Sequence, residues 1–135
     1  MRQVFVDTGA FYAALNRKDA SHFVARRLLK QAQTERWYLF TTNFVVAETH
    51  ALLLARVGHA AAWQFLHSVY TGRTNIIRVE ATEEAHARKI IEHYRDKDFS
   101  YCDAISFAVM ERLGIAEVMA FDEHFRQYGK LTILE

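Results

Sequence analysis

The chain has no proline, one cysteine and five glycines in 135 residues. Without proline nothing in the covalent chain breaks a helix interior, which suits a helix-rich fold. One cysteine, Cys102, excludes an internal disulfide and fits a reducing compartment. Seven histidines are present, but no HExxH or paired CxxC accompanies them, so the usual zinc-binding spacings are missing. No apolar run approaches the ~18 residues that would span a bilayer, and Asp7 interrupts any signal-peptide core, so a cytoplasmic protein with no membrane role is expected. The formal net charge is +1, from 17 Lys and Arg against 16 Asp and Glu, so no global basic signal points to nucleic acid. Repeats and low-complexity linkers are also missing.

What is present is an ordinary globular composition, 51% hydrophobic and 24% charged. A chain of this length buries about two thirds of its unfolded surface, enough for one core without staples, so a single domain over 1–135 is expected. Short apolar, β-branched or aromatic runs at Gln3 to Val6, Trp37 to Thr41, Asn75 to Val79, Glu117 to Phe121 and Leu131 to Leu134 predict strands. Helical periodicity predicts helices over Gly9 to Asn16, Ser21 to Thr34, Asn43 to Val57, His59 to Tyr70, Thr82 to Arg95 and Ser100 to Leu113, with a short turn after Asp122. This alternation predicts an α/β protein with a mostly parallel central sheet. Gly58, Gly72 and Gly114 fall just past helices, where positive φ is useful.

Four acids sit where a structural role is hard to supply. Asp7 follows the apolar run Val4 to Val6, and Asp122 follows Val118 to Phe121, at the ends of two expected strands. Glu48 shares a helical face with Phe44, Ala51, Leu52 and Ala55, so it is expected to point inward. Asp103 lies between Phe99 and the group Ser106, Phe107 and Met110 on another apolar face. An unpaired buried carboxylate is costly. Acids converging beyond the carboxyl ends of parallel strands would raise one another's pKa values unless a cation neutralised them. Oxygen ligands without His or Cys suit Mg²⁺ or Mn²⁺ rather than Zn²⁺. Simpler roles remain open: Asp7 and Asp122 as helix caps, Ser100 with Asp103 as a capping box, and Glu48 paired with Arg56.

Val4-Phe5-Val6-Asp7-Thr8, Thr41 to Thr49, Phe99 to Phe107 and Ala120 to Phe125 together resemble the successive acidic motifs of PIN-domain ribonucleases, most closely the VapC-type toxins. The resemblance covers nearly the whole chain, in order. It implies a three-layer α/β/α sandwich in which Asp7, Glu48, Asp103 and Asp122 are the catalytic acids and bind Mg²⁺ or Mn²⁺. It implies hydrolysis of single-stranded RNA to a 5′-phosphate and a 3′-hydroxyl, and a Thr8 hydroxyl that supports the acids from behind. It also implies a cognate antitoxin and a homodimer.

Two other function classes compete with a toxin ribonuclease. One is a PIN-like RNA-processing or DNA-cutting nuclease without a toxin role. The other is a non-catalytic α/β binding module such as a phosphoryl-accepting receiver, which a mid-helix Glu48 and the lack of a Lys ending a late strand argue against. With the four acids neutralised, 17 basic residues would face 12 acids, a balance of +5. Arg17-Lys18, Arg26-Arg27 with Lys30, and Arg88-Lys89 are candidate backbone-tracking clusters, though solvated helix faces explain each one singly. Cys102 reads as a small packed thiol, His86 and His93 as a solvated pair, and His124 as a residue within reach of substrate. The long greasy stretch from Phe44 to Leu66 reads mostly as core, with the remainder available to a partner.

Overall fold

The computed structural model describes residues 1–135. Five strands, β1 (Gln3–Val6), β2 (Tyr38–Thr42), β3 (Asn75–Ile77), β4 (Glu117–Met119) and β5 (Thr132–Leu134), form one sheet in the order β3-β2-β1-β4-β5. Every neighbouring pair is parallel, so the expected mostly parallel sheet is parallel throughout. Seven helices alternate with the strands: α1 (Thr8–Leu15), α2 (His22–Thr34), α3 (Asn43–Arg56), α4 (His59–Thr71), α5 (Ala81–His93), α6 (Tyr101–Leu113) and α7 (Glu123–Tyr128). The chain steps from β1 outward to β2 and β3, then crosses back to β4 and β5. Right-handed crossovers therefore put α1 to α4 on one face and α5 to α7 on the other. The architecture is the expected α/β/α sandwich.

Val4, Phe5 and Val6 of the central strand are fully buried, because both faces of β1 are covered by helices. Successive connections part company between β1 and β4. That reversal leaves a crevice beyond the carboxyl ends of the two strands, the place where open α/β sheets bind ligands.

β3 and β4 end earlier than the expected runs to Val79 and Phe121. Pairing partners limit them, not residue type. β2 ends at Thr42, where α3 begins, and the Val79 N–H is donated to Asn43 Oδ1 (3.0 Å) instead of to a strand. β4 pairs as far as Met119 opposite Val6, beyond which β1 has ended. Asp122 consequently does not terminate a strand; it is the N-cap of α7.

Gly114 closes α6 in the left-handed region at φ 68°, as expected of a residue past a helix end. Gly72 does not: its φ is −85°. Glycine is required there by space, since a Cβ would come within 2.8 Å of the Ser68 carbonyl oxygen.

The stretch Leu52 to Leu66 is less buried than expected. Leu53, Ala62 and Phe65 enter the core, whereas Leu54, Val57 and Trp63 are exposed. Two adjacent helices can each bury only one stripe, and this segment is apolar on more than one.

On the opposite face the core is aromatic. Phe107 of α6 stacks on Tyr128 of α7 (centroids 4.1 Å, 7° between planes) and meets Phe99 and Phe125 edge-on at 5.1 and 4.9 Å. This cluster fixes α7 against α6, and with them the segments bearing Asp103 and Asp122. Phe107 is fully buried. Phe107→Ala is expected to cost about 3–5 kcal/mol in urea denaturation, the usual range for deleting a buried aromatic.

Candidate active site

Asp7 directly follows β1. Its N–H donates to the Met119 carbonyl (3.1 Å), the last rung between β1 and β4, and its own carbonyl accepts the Ala10 and Phe11 amides (3.1 and 3.3 Å). The backbone is thereby committed to starting α1, while the carboxylate makes no capping hydrogen bond. That carboxylate is buried. Burial pushes its pKa up to about 7, helped by the nearby charge of Asp103 and then of Glu48, while the Thr8 and Gly9 amides pull it partly back. No cation is among the groups acting on it.

Asp103 is also buried, on a face with fully buried Ser106, Phe107 and Met110, as expected. The capping box exists too: the Ser100 N–H donates to Asp103 Oδ2 (3.1 Å) and the Asp103 N–H to Ser100 Oγ (3.0 Å). The same Oδ2 meets His124 Nδ1 at 2.8 Å. The capping role of Asp103 therefore does not exclude a functional one, with Oδ2 holding the helix and Oδ1 left without a protein partner.

Glu48 departs from expectation. It is exposed, and the inward stripe of α3 is Val45, Val46, Thr49 and Leu53. Phe44 and Leu52 are half-buried and Ala51 and Ala55 exposed. Because α3 is apolar nearly all round, hydrophobicity alone does not fix its rotation. Glu48 instead stands at the rim, where its charge still reaches Asp7. It does not pair with Arg56, whose guanidinium lies over the Tyr12 ring at 5.6 Å.

Asp122 is the most distant member of the set. Its Oδ1 accepts the His124 N–H (2.7 Å), as an N-cap should, and lies 3.2 Å from His124 Nδ1. It is not among the charges that perturb Asp7. His124 is the bridge, its ring nitrogen shared by Asp103 and Asp122 and its ring edge packed on Phe99 at 5.8 Å. The signal for it in the sequence was its position two residues after a capping Asp, which brings the ring back over the cap.

Cys102 faces the acids rather than merely filling space. Burial raises its thiol pKa far above the ordinary range, reinforced by Glu48, Asp7 and Asp103 in that order. Its place in the first turn of α6 gives no activation. Thr8, Thr49 and Ser106 carry buried hydroxyl oxygens without hydrogen-bond partners, one on each of α1, α3 and α6. As placed, no three His, Cys, Asp or Glu side chains are close enough to share one ion. Asp7, Asp103 and Glu48 are nonetheless electrostatic neighbours.

A PIN domain family model matches residues 4–131. The chain belongs to the PIN-domain family. Among curated relatives, the 23S rRNA-specific endonuclease VapC20 of Mycobacterium tuberculosis is 37% identical over 134 residues, covering 96% of this chain and 97% of that protein. A VapC ribonuclease of Archaeoglobus fulgidus is 33% identical over 126 residues, covering 89% and 77%. The crystal structure of M. tuberculosis VapC20, a sarcin-ricin loop cleaving toxin, superposes with a TM-score of 0.88 at 33% identity, over 95% of this chain and 96% of that one. VapBC2 of Rickettsia felis, bound to a promoter DNA fragment, shares the PIN fold with a TM-score of 0.72 at 13% identity, over 97% and 96%. Within the PIN-domain family, this chain stands with the VapC ribonucleases.

Asp7 also makes a testable contribution to stability. Its folded pKa exceeds the unfolded value of 3.8, so the native state holds the proton more tightly and loses stability as pH rises from about 4 through about 7. In chelator, Asp7→Asn should therefore be more stable than wild type by about 1–4 kcal/mol at pH 8, with the gap closing near pH 4. Urea denaturation across that range reads the difference.

Proposed function

We propose that this PIN-domain chain is a VapC-type toxin and a divalent-metal-dependent endoribonuclease acting in the cytoplasm. Asp7, Glu48 and Asp103 are its central acids and Asp122 a fourth at the mouth. The observation that carries this reading is Asp7: buried, flanked by Asp103 and Glu48, and acted on by no cation. An all-oxygen donor set with uncompensated negative charge fits Mg²⁺ or Mn²⁺, and the unpartnered Thr8 hydroxyl beside Asp7 fits support from behind. When bound, such an ion supplies Lewis-acid stabilisation of charge at a phosphate and acidifies water.

The protein residues divide the remaining work. Burial and the neighbouring acids disfavour a Cys102 thiolate, which argues against a thiol nucleophile, and water is the proposed attacking group. Water oxygen bonds to phosphorus, its proton passes to a carboxylate, the bond from phosphorus to the 3′ oxygen breaks, and that oxygen takes up a proton from solvent. The products are a 5′-phosphate and a 3′-hydroxyl. Asp103 is fixed in one orientation by Ser100 and His124, so Oδ1 is presented at constant position. Asp122 orients His124 and completes the acidic mouth.

The names of the relatives direct the choice of substrate. VapC20 is described as 23S rRNA-specific and as cleaving the sarcin-ricin loop, and that hairpin is the proposed first substrate here. A groove of about 780 Å³ between α1 and α2 pairs exposed Phe23 and Leu15 with Arg26, Arg27 and Lys30. It suits a segment with apolar and acidic residues, and we assign it to the cognate antitoxin. Exposed Leu54, Val57 and Trp63 on α3 and α4 suit the partner copy of a homodimer.

The decisive experiment incubates a sarcin-ricin loop hairpin RNA with the purified chain in Mg²⁺, in Mn²⁺ and in chelator. Cleavage is expected with either metal and none in chelator. Asp7→Asn and Glu48→Gln should each lower the rate by about a hundredfold or more, and Asp122→Asn by less. Cutting that survives in both Asp7→Asn and Glu48→Gln would assign the chemistry to other residues.

A further inference from the structure

Phe44 and Tyr101 stand on the two helices that carry Glu48 and Asp103. Phe44 precedes Glu48 by one turn of α3, and Tyr101 opens α6 next to Cys102 and two residues before Asp103. Their rings meet edge to face, centroids 6.2 Å apart and planes at 87°. This is looser than the core aromatic contacts around Phe107, which lie between 4.1 and 5.1 Å. Phe44 is half-buried and packs against the main core. Tyr101 lies outside that core and is 37% exposed. Its hydroxyl donates to Glu84 Oε1 on α5 at 3.3 Å, which holds the far end of the ring.

A large aromatic side chain held at both ends, exposed, and next to a cluster of acids is not there to fill the core. At 87° the contact with Phe44 is an edge contact and not a stack, so it covers at most one face of the Tyr101 ring and leaves the other clear. Every nucleobase offers a flat apolar face, so an exposed aromatic ring beside a phosphate-handling site binds bases by stacking without needing to read their edges. The acids would repel a bare phosphate chain that touched nothing else. A stacked base supplies attraction that carries no charge, beside the place where negative charge is densest.

We infer that the Tyr101 ring, backed by Phe44, is a stacking platform for an unpaired base of RNA adjoining the cleaved phosphate. Tyr101 is a positioning residue: it touches a neighbouring base and holds the backbone in register with Asp7, Glu48 and Asp103. The inference rests on the ribonuclease reading for the meaning of the adjoining phosphate, but the contact itself is measurable without cleavage.

The test uses the full chain carrying Asp7→Asn, so that RNA is not consumed, in Mg²⁺. Short single-stranded RNA oligomers carry one abasic nucleotide, or one fluorescent purine analogue, walked through successive positions. Binding is compared with the same chain carrying Tyr101→Ala or Tyr101→Phe as well. Wild-type cleavage of the sarcin-ricin loop hairpin is followed in parallel, with thermal unfolding of every variant. The expected result is one position at which the abasic nucleotide weakens binding about tenfold and the purine analogue is quenched. Both effects should persist with Tyr101→Phe and vanish with Tyr101→Ala.

An abasic penalty unchanged by Tyr101→Ala overturns the platform. So does a loss with Tyr101→Ala that is equal at all positions and tracks a lowered unfolding temperature, which would make Tyr101 only a strut between α6 and α5. If wild type cuts RNA but no position depends on Tyr101, the platform falls and the nuclease reading stands. If wild type cuts nothing while the position-specific penalty still depends on Tyr101, the nuclease reading falls and base stacking stands. Absence of RNA binding by every variant sinks both.

Discussion

Repulsion among carboxylates in a place with little water is the constraint on which the rest of this structure turns. Asp7 is buried at the point where β1 and β4 part, with the charges of Asp103 and Glu48 close by. No cation is among the groups acting on Asp7 itself, while the His124 ring meets Asp103 at Oδ2. A fold can hold such a group only if its backbone is committed elsewhere. Here the Asp7 amide completes the β1–β4 ladder and its carbonyl starts α1, so main-chain hydrogen bonds fix the residue whatever its side chain prefers. The aromatic cluster of Phe99, Phe107, Phe125 and Tyr128 does the same for the other side of the crevice. Stability is concentrated in the sheet and in that cluster, and the strained electrostatics are placed between them.

Asp103 shows how one residue serves both ends. Its Oδ2 belongs to the capping box of α6 and to His124, so the side chain is immobilised by bonds any helix N-terminus would favour. A cap and a site ligand are not competing explanations when a carboxylate has two oxygens. The chain uses Ser100 and His124 to spend one oxygen on architecture, and the geometry of the other follows. His124 extends the arrangement to Asp122, which is itself a cap for α7. The two acids on the β4 side of the crevice are thus tied to helix starts, where negative charge is also favoured by the helix dipole.

Much of the fold was legible because hydrophobic periodicity changes cleanly from strand to helix along the chain. β1 falls on its expected residues, and every expected helix exists with ends shifted by one or two positions. What local pattern could not supply was anything set by partners. β3 and β4 stop where their neighbours stop, not where their apolar residues do. Gly72 is a glycine because of a carbonyl one turn away, not because of its own φ. The rotation of α3 was undetermined because Ala51, Leu52 and Ala55 are as apolar as Val45, Val46 and Leu53, and only the sheet beneath decides between them. Asp7 and Asp103 stood out because buried acids among apolar neighbours are rare, whereas the exposure of Glu48 did not follow from its neighbours. How they converge could not, because it depends on which strands lie side by side.

The exposed position of Glu48 changes how the acids can work together. Had Glu48 been buried as its neighbours suggested, three fixed carboxylates would have crowded one low-dielectric cavity, each raising the cost of the others. Instead the buried pair Asp7 and Asp103 is joined by a third acid on the solvent side of α3, on a longer side chain with more freedom to move. In water that charge is screened and costs little. The crevice thus presents two fixed carboxylates and one with more freedom. The rim position therefore lowers the repulsion stored in the fold without removing an acid from reach of the crevice.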